Sequence, residues 1–456
     1  MRLRQIEVRT SVWANCARSL VLLVLFATPV AAPNAQAQDP AEPQEGQPHP
    51  TFLPRPEGAI VRQSVDEKAM QALIHELVGC GTRHSLSSWT DSKRGIGCAR
   101  DIVAARFRQI SSESGGKLQV IVDKFEATAE RTGGKPVPME NVYAILPGSD
   151  AKLTKTLFIV SGHMDSMSSK WTDPEPDAPG ADDDASGTTV SVECARLLSK
   201  QAPRATILFA AVSGEEQGLL GSKHMLDWIK QQGYTVGGML DDDIVGADLA
   251  PRGPHRVRLF SGNGIIDDCD SPSRELARAI EEIDGRPAIR MIFRVDRYGR
   301  GGDHYYFYKA GLPAVRFTEP LEDYTHQHQT PRTENGIVYG DLEKYLDFKF
   351  LGDVARNNAE ALRQLALAPA PPAKAILKGA VTPDAKISWT AEEDPERAGF
   401  EILWRETTEA RWQVYNYVTN GMDTTLKGVS TDNHYYAVRT VGKNGARSIA
   451  VPTEPN

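Results

Sequence analysis

Leu157-Phe158-Ile159-Val160-Ser161-Gly162-His163-Met164-Asp165 decides the fold class of this chain. Four apolar residues in a row, stopped by a glycine, read as a strand buried on both faces, which is the signature of a parallel sheet covered by helices. Residues 206–212 form a second such run, and Ser213-Gly214 carries it straight to Glu215-Glu216. Between the two lies Pro179-Gly180-Ala181-Asp182-Asp183-Asp184-Ala185-Ser186-Gly187, an acidic loop that runs into a helical pattern. Leu240-Asp241-Asp242-Asp243-Ile244-Val245-Gly246 is a further apolar-to-acidic junction. Open α/β sheets place their ligand sites at the carboxyl ends of strands, and here those ends carry an imidazole and several carboxylates.

Outward from these junctions, helical patterns over 69–78, 99–110, 188–199, 222–231 and 273–283 alternate with strand patterns over 118–125 and 141–146. The alternation predicts an α/β fold: a mixed, mostly parallel sheet flanked by helices, with the first strands as candidates for antiparallel pairing at an edge. The chain is 456 residues long, more than one core comfortably holds, so a second unit is expected. Ala368-Pro369-Ala370-Pro371-Pro372 marks the break, and beyond it period-two runs such as Gly399-Phe400-Glu401-Ile402-Leu403-Trp404 indicate a small all-β sandwich.

The chain opens with Arg2, Arg4 and Arg9, an apolar run over 20–27, and Ala35-Gln36-Ala37. This is the layout of a secretory signal peptide cut after Ala37, and the apolar run is too short for a spanning helix. The expected organisation is a signal peptide over 1–37, a disordered spacer over 38–57, the main α/β domain over 58–366, a Pro/Ala linker over 367–372, and the sandwich over 373–454. Secreted or periplasmic localisation follows. Cys80 and Cys98 stand close enough in sequence to close a short disulfide loop in an oxidising compartment, whereas Cys194 sits in an apolar helical pattern and reads as a buried small residue. The absence of Cys-x-x-Cys argues against a thiolate zinc site. A net charge of −8 with no dominant basic face argues against nucleic acid as a partner.

The candidate site residues are of the types that hold divalent metal: His163, Asp183, Glu216, Asp243, and His326 or His328 in Asp323-Tyr324-Thr325-His326-Gln327-His328-Gln329-Thr330-Pro331. Each fragment has an ordinary alternative. The three aspartates at 182–184 suit a helix cap, and a Glu-Glu pair is commonly solvated surface. Oxygen and imidazole donors without thiolate suit zinc.

The ordered set Gly-His-Met-Asp-Ser, Pro-Gly-Ala-Asp-Asp-Asp-Ala-Ser-Gly, Ser-Gly-Glu-Glu-Gln-Gly-Leu-Leu-Gly-Ser, Asp-Ile-Val-Gly, Gly-Asp-His and the late His loop resembles the co-catalytic di-zinc peptidases, among them secreted bacterial leucyl aminopeptidases and, more distantly, glutamate carboxypeptidases. The resemblance spans about residues 60–365. It implies two zinc ions bridged by Asp183, with His163 and Asp243 completing one site and Glu216 and His328 the other. It also implies Glu215 as the catalytic base and Asp165 as the group that orients His163. The His-Gln-Thr-Pro stretch departs from the family's His-Thr-Pro and keeps His326 as an alternative ligand. Asp303 and His304 match a supporting element in which Gly302 replaces a serine. Arg297, Arg300 and Arg316 around that element either bind a substrate carboxylate or are surface or structural arginines, and Tyr298, Tyr305 and Tyr306 either line the pocket or pack.

The implied activity is hydrolysis of peptide or protein substrates by an aminopeptidase. Carboxypeptidase or dipeptidase action at the same site, glutaminyl cyclisation with one zinc, and a non-catalytic binding protein on a peptidase fold are the alternatives. The strands beyond 373, with Trp389 and Tyr435-Tyr436, resemble a fibronectin type III domain. Oligomeric state is not encoded in any motif.

Overall fold

The structure is a computed structural model, and it describes residues 64–249, 256–262, 270–284, 289–292, 301–379, 381–418 and 421–456. The expected signal peptide and the whole of the spacer therefore lie outside the described residues, as do Cys16, Cys269, Arg297, Tyr298 and Arg300.

In the main domain the helices are α1 (Glu67–Val78), α2 (Ile96–Glu113), α3 (Ala185–Leu198), α4 (Leu220–Gln231), α5 (Pro272–Asp284), α6 (Tyr305–Lys309) and α7 (Phe348–Leu367). The strands of the large sheet are β1 (Gln119–Ala127), β2 (Val137–Leu146), β3 (Thr156–His163), β4 (Thr206–Val212), β5 (Thr235–Asp242), β6 (Val257–Phe260), β7 (Ile289–Ile292) and β8 (Ala314–Thr318). Their order is β1-β2-β4-β3-β5-β8-β6-β7. The four central strands β4, β3, β5 and β8 are mutually parallel. β1 and β2 pair antiparallel at one edge, β2 runs antiparallel to β4, and β6 runs antiparallel to β8. The mixed sheet and its antiparallel edge match the reading of the sequence.

Why the apolar runs form central strands is visible in their burial. Every residue of β4 is buried, and its side chains divide with period two. Ile207, Phe209 and Ala211 join the larger core under α1, α2, α3, α5 and α7, while Leu208, Ala210 and Val212 join a second core under α4 and α6. Phe158 and Val160 of β3 face the first core, Leu157 and Ile159 the second. Full burial of a side chain such as Phe209 contributes about 2–3 kcal/mol. Aspartates set the helix starts: Asp66 accepts from the Ala69 amide at α1, and Asp347 from the Lys349 and Phe350 amides at α7. The Cys80–Cys98 disulfide joins the end of α1 to the first turn of α2 across 18 residues. Closing a loop of that size stabilises the fold by about 3 kcal/mol in the chain-entropy account. Cys194 is a buried free thiol, as its pattern predicts.

A two-stranded hairpin, β9 (Arg332–Glu334) with β10 (Ile337–Tyr339), follows the late His loop. The C-terminal unit is all β: β11 (Lys374–Lys378), β12 (Ala385–Thr390), β13 (Arg397–Glu406), β14 (Val414–Val418), β15 (Asp423–Leu426), β16 (His434–Gly442) and β17 (Val451–Pro455). They form one curled sheet in the order β14-β13-β16-β17-β11-β12-β15. β17 makes the curl, pairing antiparallel with β16 and parallel with β11. Trp389 and Phe400 meet edge to face at 5.1 Å in its core, and the Tyr436 hydroxyl donates to the Ser430 carbonyl at 2.7 Å.

This unit is bolted to the main domain. Trp412 is buried and donates its indole N–H to Glu275 of α5 at 2.9 Å. Arg405 pairs with Asp270, Arg411 with Glu281 and Arg439 with Glu282, each at 2.6 Å. Arg204, at the entry to β4, reaches Asp394 at 2.8 Å. Thr440 donates to the Ala370 carbonyl at 3.0 Å, so the Pro/Ala segment itself is held.

Candidate metal centre

Three strand ends build the floor of the site. β3 ends on His163, β4 leads through Ser213-Gly214 to Glu215-Glu216, and β5 leads to Asp243. The acidic loop before α3 crosses above them. For α3 to come this close, two contacts must lack side chains. A Cβ on Gly187 would lie 2.0 Å from the Asp242 carbonyl oxygen, and one on Gly162 would lie 2.2 Å from the Gly187 carbonyl carbon. Glycine at both positions lets the helix start pack against the sheet backbone.

The three adjacent aspartates divide their labour. Asp184 is the helix cap, accepting from the Gly187 amide at 2.8 Å and also from the His163 amide at 2.9 Å. Asp182 accepts from the Gly246 amide at 2.7 Å. Asp183 alone turns into the site. The other run behaves alike. Asp241 pairs with His304 Nδ1 at 3.1 Å, Asp242 accepts from Asn358 at 2.9 Å, and Asp243 enters the site.

Two groups of donor atoms result, each with atoms within 4.8 Å of one another: His163, Asp183 and Asp243, and Asp183, Glu216 and His328. Asp183 belongs to both. Its Oδ1 lies 3.2 Å from His163 Nε2 and its Oδ2 lies 2.8 Å from His328 Nε2. His328 Nε2 is also 3.1 Å from Glu216 Oε1. All the sequence-derived ligand candidates thus converge, with His328 rather than His326 among them. His326 stacks on Tyr345 at 3.7 Å and lies 3.7 Å from Asp323. His328 adopts a left-handed backbone, φ 54°, a conformation uncommon outside glycine that aims its ring inward.

The donor set fits a divalent ion. His163 Nε2 and Glu216 Oε1 are buried without a hydrogen bond of acceptable geometry, and His163 Nε2 faces the carboxylates of Asp183 and Asp243. The cluster calls for positive charge. Burial opposes ionisation of His328, but Glu216 and Asp183 outweigh it and push the imidazole up to about 11. Burial likewise opposes charge on His163, yet Asp184, Asp165 and Asp183 raise it well above the usual histidine range. Burial disfavours ionised Asp183, and His328 and His163 nevertheless hold it well below the usual carboxylate range. Two imidazoles, three carboxylates and no thiolate are donors suited to zinc.

Asp165 does more than orient His163. Its Oδ1 lies 3.5 Å from His163 Nδ1, whose nearer partner is the Asp165 carbonyl at 3.2 Å. The same carboxylate accepts from the amides of Glu215 at 3.4 Å and Glu216 at 3.3 Å. Burial raises the Glu215 carboxyl well above its ordinary value despite the opposing pull of His163. Two residues escape the motif reading. Buried Arg83 donates to the carbonyls of Met164, at 2.8 Å, and of Pro179 and Gly180, tying the His163 loop to the Asp183 loop. Gln327 donates to Asp183 Oδ2 at 3.1 Å. Arg316 follows the structural alternative. It is buried, pairs with Asp243 Oδ2 at 2.9 Å and donates to the Gly301 carbonyl at 2.6 Å, so its charge serves Asp243. Tyr305 and Tyr306 meet edge to face at 5.3 Å, and Tyr306 packs against the second core.

These donors open onto a cleft of about 800 Å³. A family model described as peptidase family M28 matches residues 141–347, the span that holds every donor. A protein of Pyrenophora tritici-repentis described as a probable zinc metalloprotease is 38% identical over 432 residues, 88% of each chain. The chain belongs to the M28 zinc metallopeptidases. A probable zinc metalloprotease of Leptosphaeria maculans is similar to this M28 peptidase at 38% identity, over 87% of this chain and 97% of its own. Among solved structures, the LapA aminopeptidase of Legionella pneumophila superposes with TM-score 0.51 at 18% identity, covering 70% of this chain and 79% of its own. An aminopeptidase from Aneurinibacillus sp. strain AM-1 gives 0.50 at 16%, covering 68% and 96%. At such identities the M28 peptidase shares the fold with them.

Proposed function

We propose that this M28 peptidase is a secreted or periplasmic di-zinc exopeptidase, and that it acts as an aminopeptidase on peptide or protein substrates. The observation that carries the proposal is Asp183 facing two imidazoles, one through each carboxylate oxygen, with Glu215 beside the shared site. In this reading Asp183 would be shared by two zinc ions, with His163 and Asp243 holding one and Glu216 and His328 the other.

Bound zinc supplies Lewis acidity toward the scissile carbonyl and acidifies a water. Glu215 accepts that water's proton and returns it to the leaving amine, and a carboxyl raised by burial suits both transfers. Asp165 fixes the Glu215 and Glu216 amides, so base and ligand are held by one carboxylate. Arg316 keeps Asp243 ionised for its role.

Export rests on the leader composition over 1–37, and the Cys80–Cys98 disulfide supports an oxidising compartment. No helix among the described residues is long and apolar enough to cross a membrane. The C-terminal unit reads as a fibronectin type III-like module. Buried Trp389 supports this, and so does Tyr436 donating back to the backbone six residues upstream, the geometry of a tyrosine corner. Metal analysis combined with a panel of aminoacyl and C-terminally reporting chromogenic substrates, with and without chelator, tests the function. About two zincs per chain and chelator-sensitive release from free N-termini are expected. Turnover confined to free C-termini would move the site to the carboxypeptidase branch.

A further inference from the structure

One cation of the cleft is not committed to a carboxylate. Arg131 stands on a 3-10 turn, Glu130–Thr132, that follows β1, and the turn is fixed by Thr132, whose hydroxyl accepts from the Ala129 amide at 2.9 Å and donates to the Lys135 carbonyl at 2.8 Å. The Arg131 side chain is half-buried and lines the cleft with Glu215 and Glu216. Its Nη1 donates to the Glu216 main-chain carbonyl at 2.6 Å, and its guanidinium lies 4.7 Å over the Trp171 ring. Both partners are neutral. No carboxylate among the described residues lies within ion-pairing distance of it, in contrast to Arg316, which Asp243 holds.

A guanidinium presents five donors in a planar fork that matches a carboxylate two-to-two. The contacts to Glu216 and Trp171 fix the plane and leave donors unspent, so little rotamer freedom remains to be lost on binding. Trp171 is 57% exposed and lies against the guanidinium. The wall's other charge, Glu130, is exposed and adjacent in sequence, and it does not pair with Arg131. A cleft of about 800 Å³ takes a short peptide rather than a single side chain.

We propose that Arg131, braced by Trp171, recognises a substrate carboxylate on the leaving side of the scissile bond. The preferred substrates are then di- and tripeptides with a free C-terminus, or peptides with Asp or Glu directly after the bond. The inference rests on the exopeptidase reading and adds the substrate class to it.

The test compares zinc-loaded wild type, Arg131→Gln and Arg131→Lys on Leu-Gly as free acid and as amide, on Leu-Glu-amide against Leu-Gln-amide, and on N-acetylated counterparts. Wild type is expected to favour one carboxylate-bearing member by about tenfold or more in kcat/KM, the worth of a hydrogen-bonded charge. The first pair reads the C-terminal carboxylate and the second the acidic side chain. Arg131→Gln should bring the favoured ratio close to one through KM, and Arg131→Lys should restore part of it. A ratio near one in wild type, or one unchanged in Arg131→Gln, overturns the proposal. An equal loss on all substrates together with lost zinc also overturns it, because Arg131 is then only a brace for Glu216. Calorimetric binding of a phosphinic Leu-Leu analogue as free acid and as amide reads the same ratio without turnover. Cleavage of N-acetylated peptides alone would refute the aminopeptidase reading while the calorimetric ratio still scores Arg131.

Discussion

Replacing Trp412 by Ala asks whether the C-terminal unit and the peptidase unfold as one body. Trp412 is 2% exposed, and its indole N–H is bonded to Glu275, itself buried in α5 and paired with Arg278. Removing a buried Trp side chain costs about 3–5 kcal/mol. Leaving a Glu275 oxygen without its donor adds about 1–3 kcal/mol. Trp412→Phe keeps most of the packing and isolates the second quantity. In differential scanning calorimetry each 4 kcal/mol or so lost moves a unit of fewer than 100 residues by roughly 20 °C, but a body of several hundred residues by no more than about 8 °C. With Trp412, Arg405, Arg411 and Arg439 all anchored on one side of the main domain, a single transition displaced by the smaller amount is expected. Two transitions, with only a minor early one moved by about 20 °C, would refute the reasoning and make the module an independent bead.

Glu215→Gln should retain zinc by metal analysis yet lose about 10²–10⁴-fold in kcat; a variant with near-native turnover removes Glu215 as the base. Cys80→Ser with Cys98→Ser should lower stability by about 3 kcal/mol in denaturant titration, and an unchanged midpoint would mean the loop is held otherwise. Glu401 is held below the usual carboxylate range: burial opposes its ionisation, but Arg439 and Arg447 outweigh burial. Its contribution is present above the unfolded carboxylate pKa, near 4.3, and is lost as pH falls through the lower folded value, so Glu401→Gln should flatten the acid limb of a stability–pH curve. An identical acid limb in the variant would contradict that account.

The central strands were legible because burial on both faces leaves an unbroken apolar run, and Gly162 and Gly214 mark where each run must turn. The chemistry at their ends was legible as residue types. What neighbouring residues do with identical side chains was not. Asp182, Asp183 and Asp184 look alike in sequence, yet a helix cap, a loop clasp and an inward carboxylate separate them, each decided by partners such as Gly246 far along the chain. His326 and His328 differ through the left-handed turn at 328 and the Tyr345 ring. Arg83 and the Arg405, Arg411 and Arg439 pairs carry no local pattern, because their partners lie outside any motif window.

The two donor groups are unequally sheltered. His163, Asp183 and Asp243 are buried at the strand ends and the base of the cleft, whereas the His328 side chain is 38% exposed on a loop. On the proposed assignment a chelator in solution would meet His328 before it met His163, which is 1% exposed.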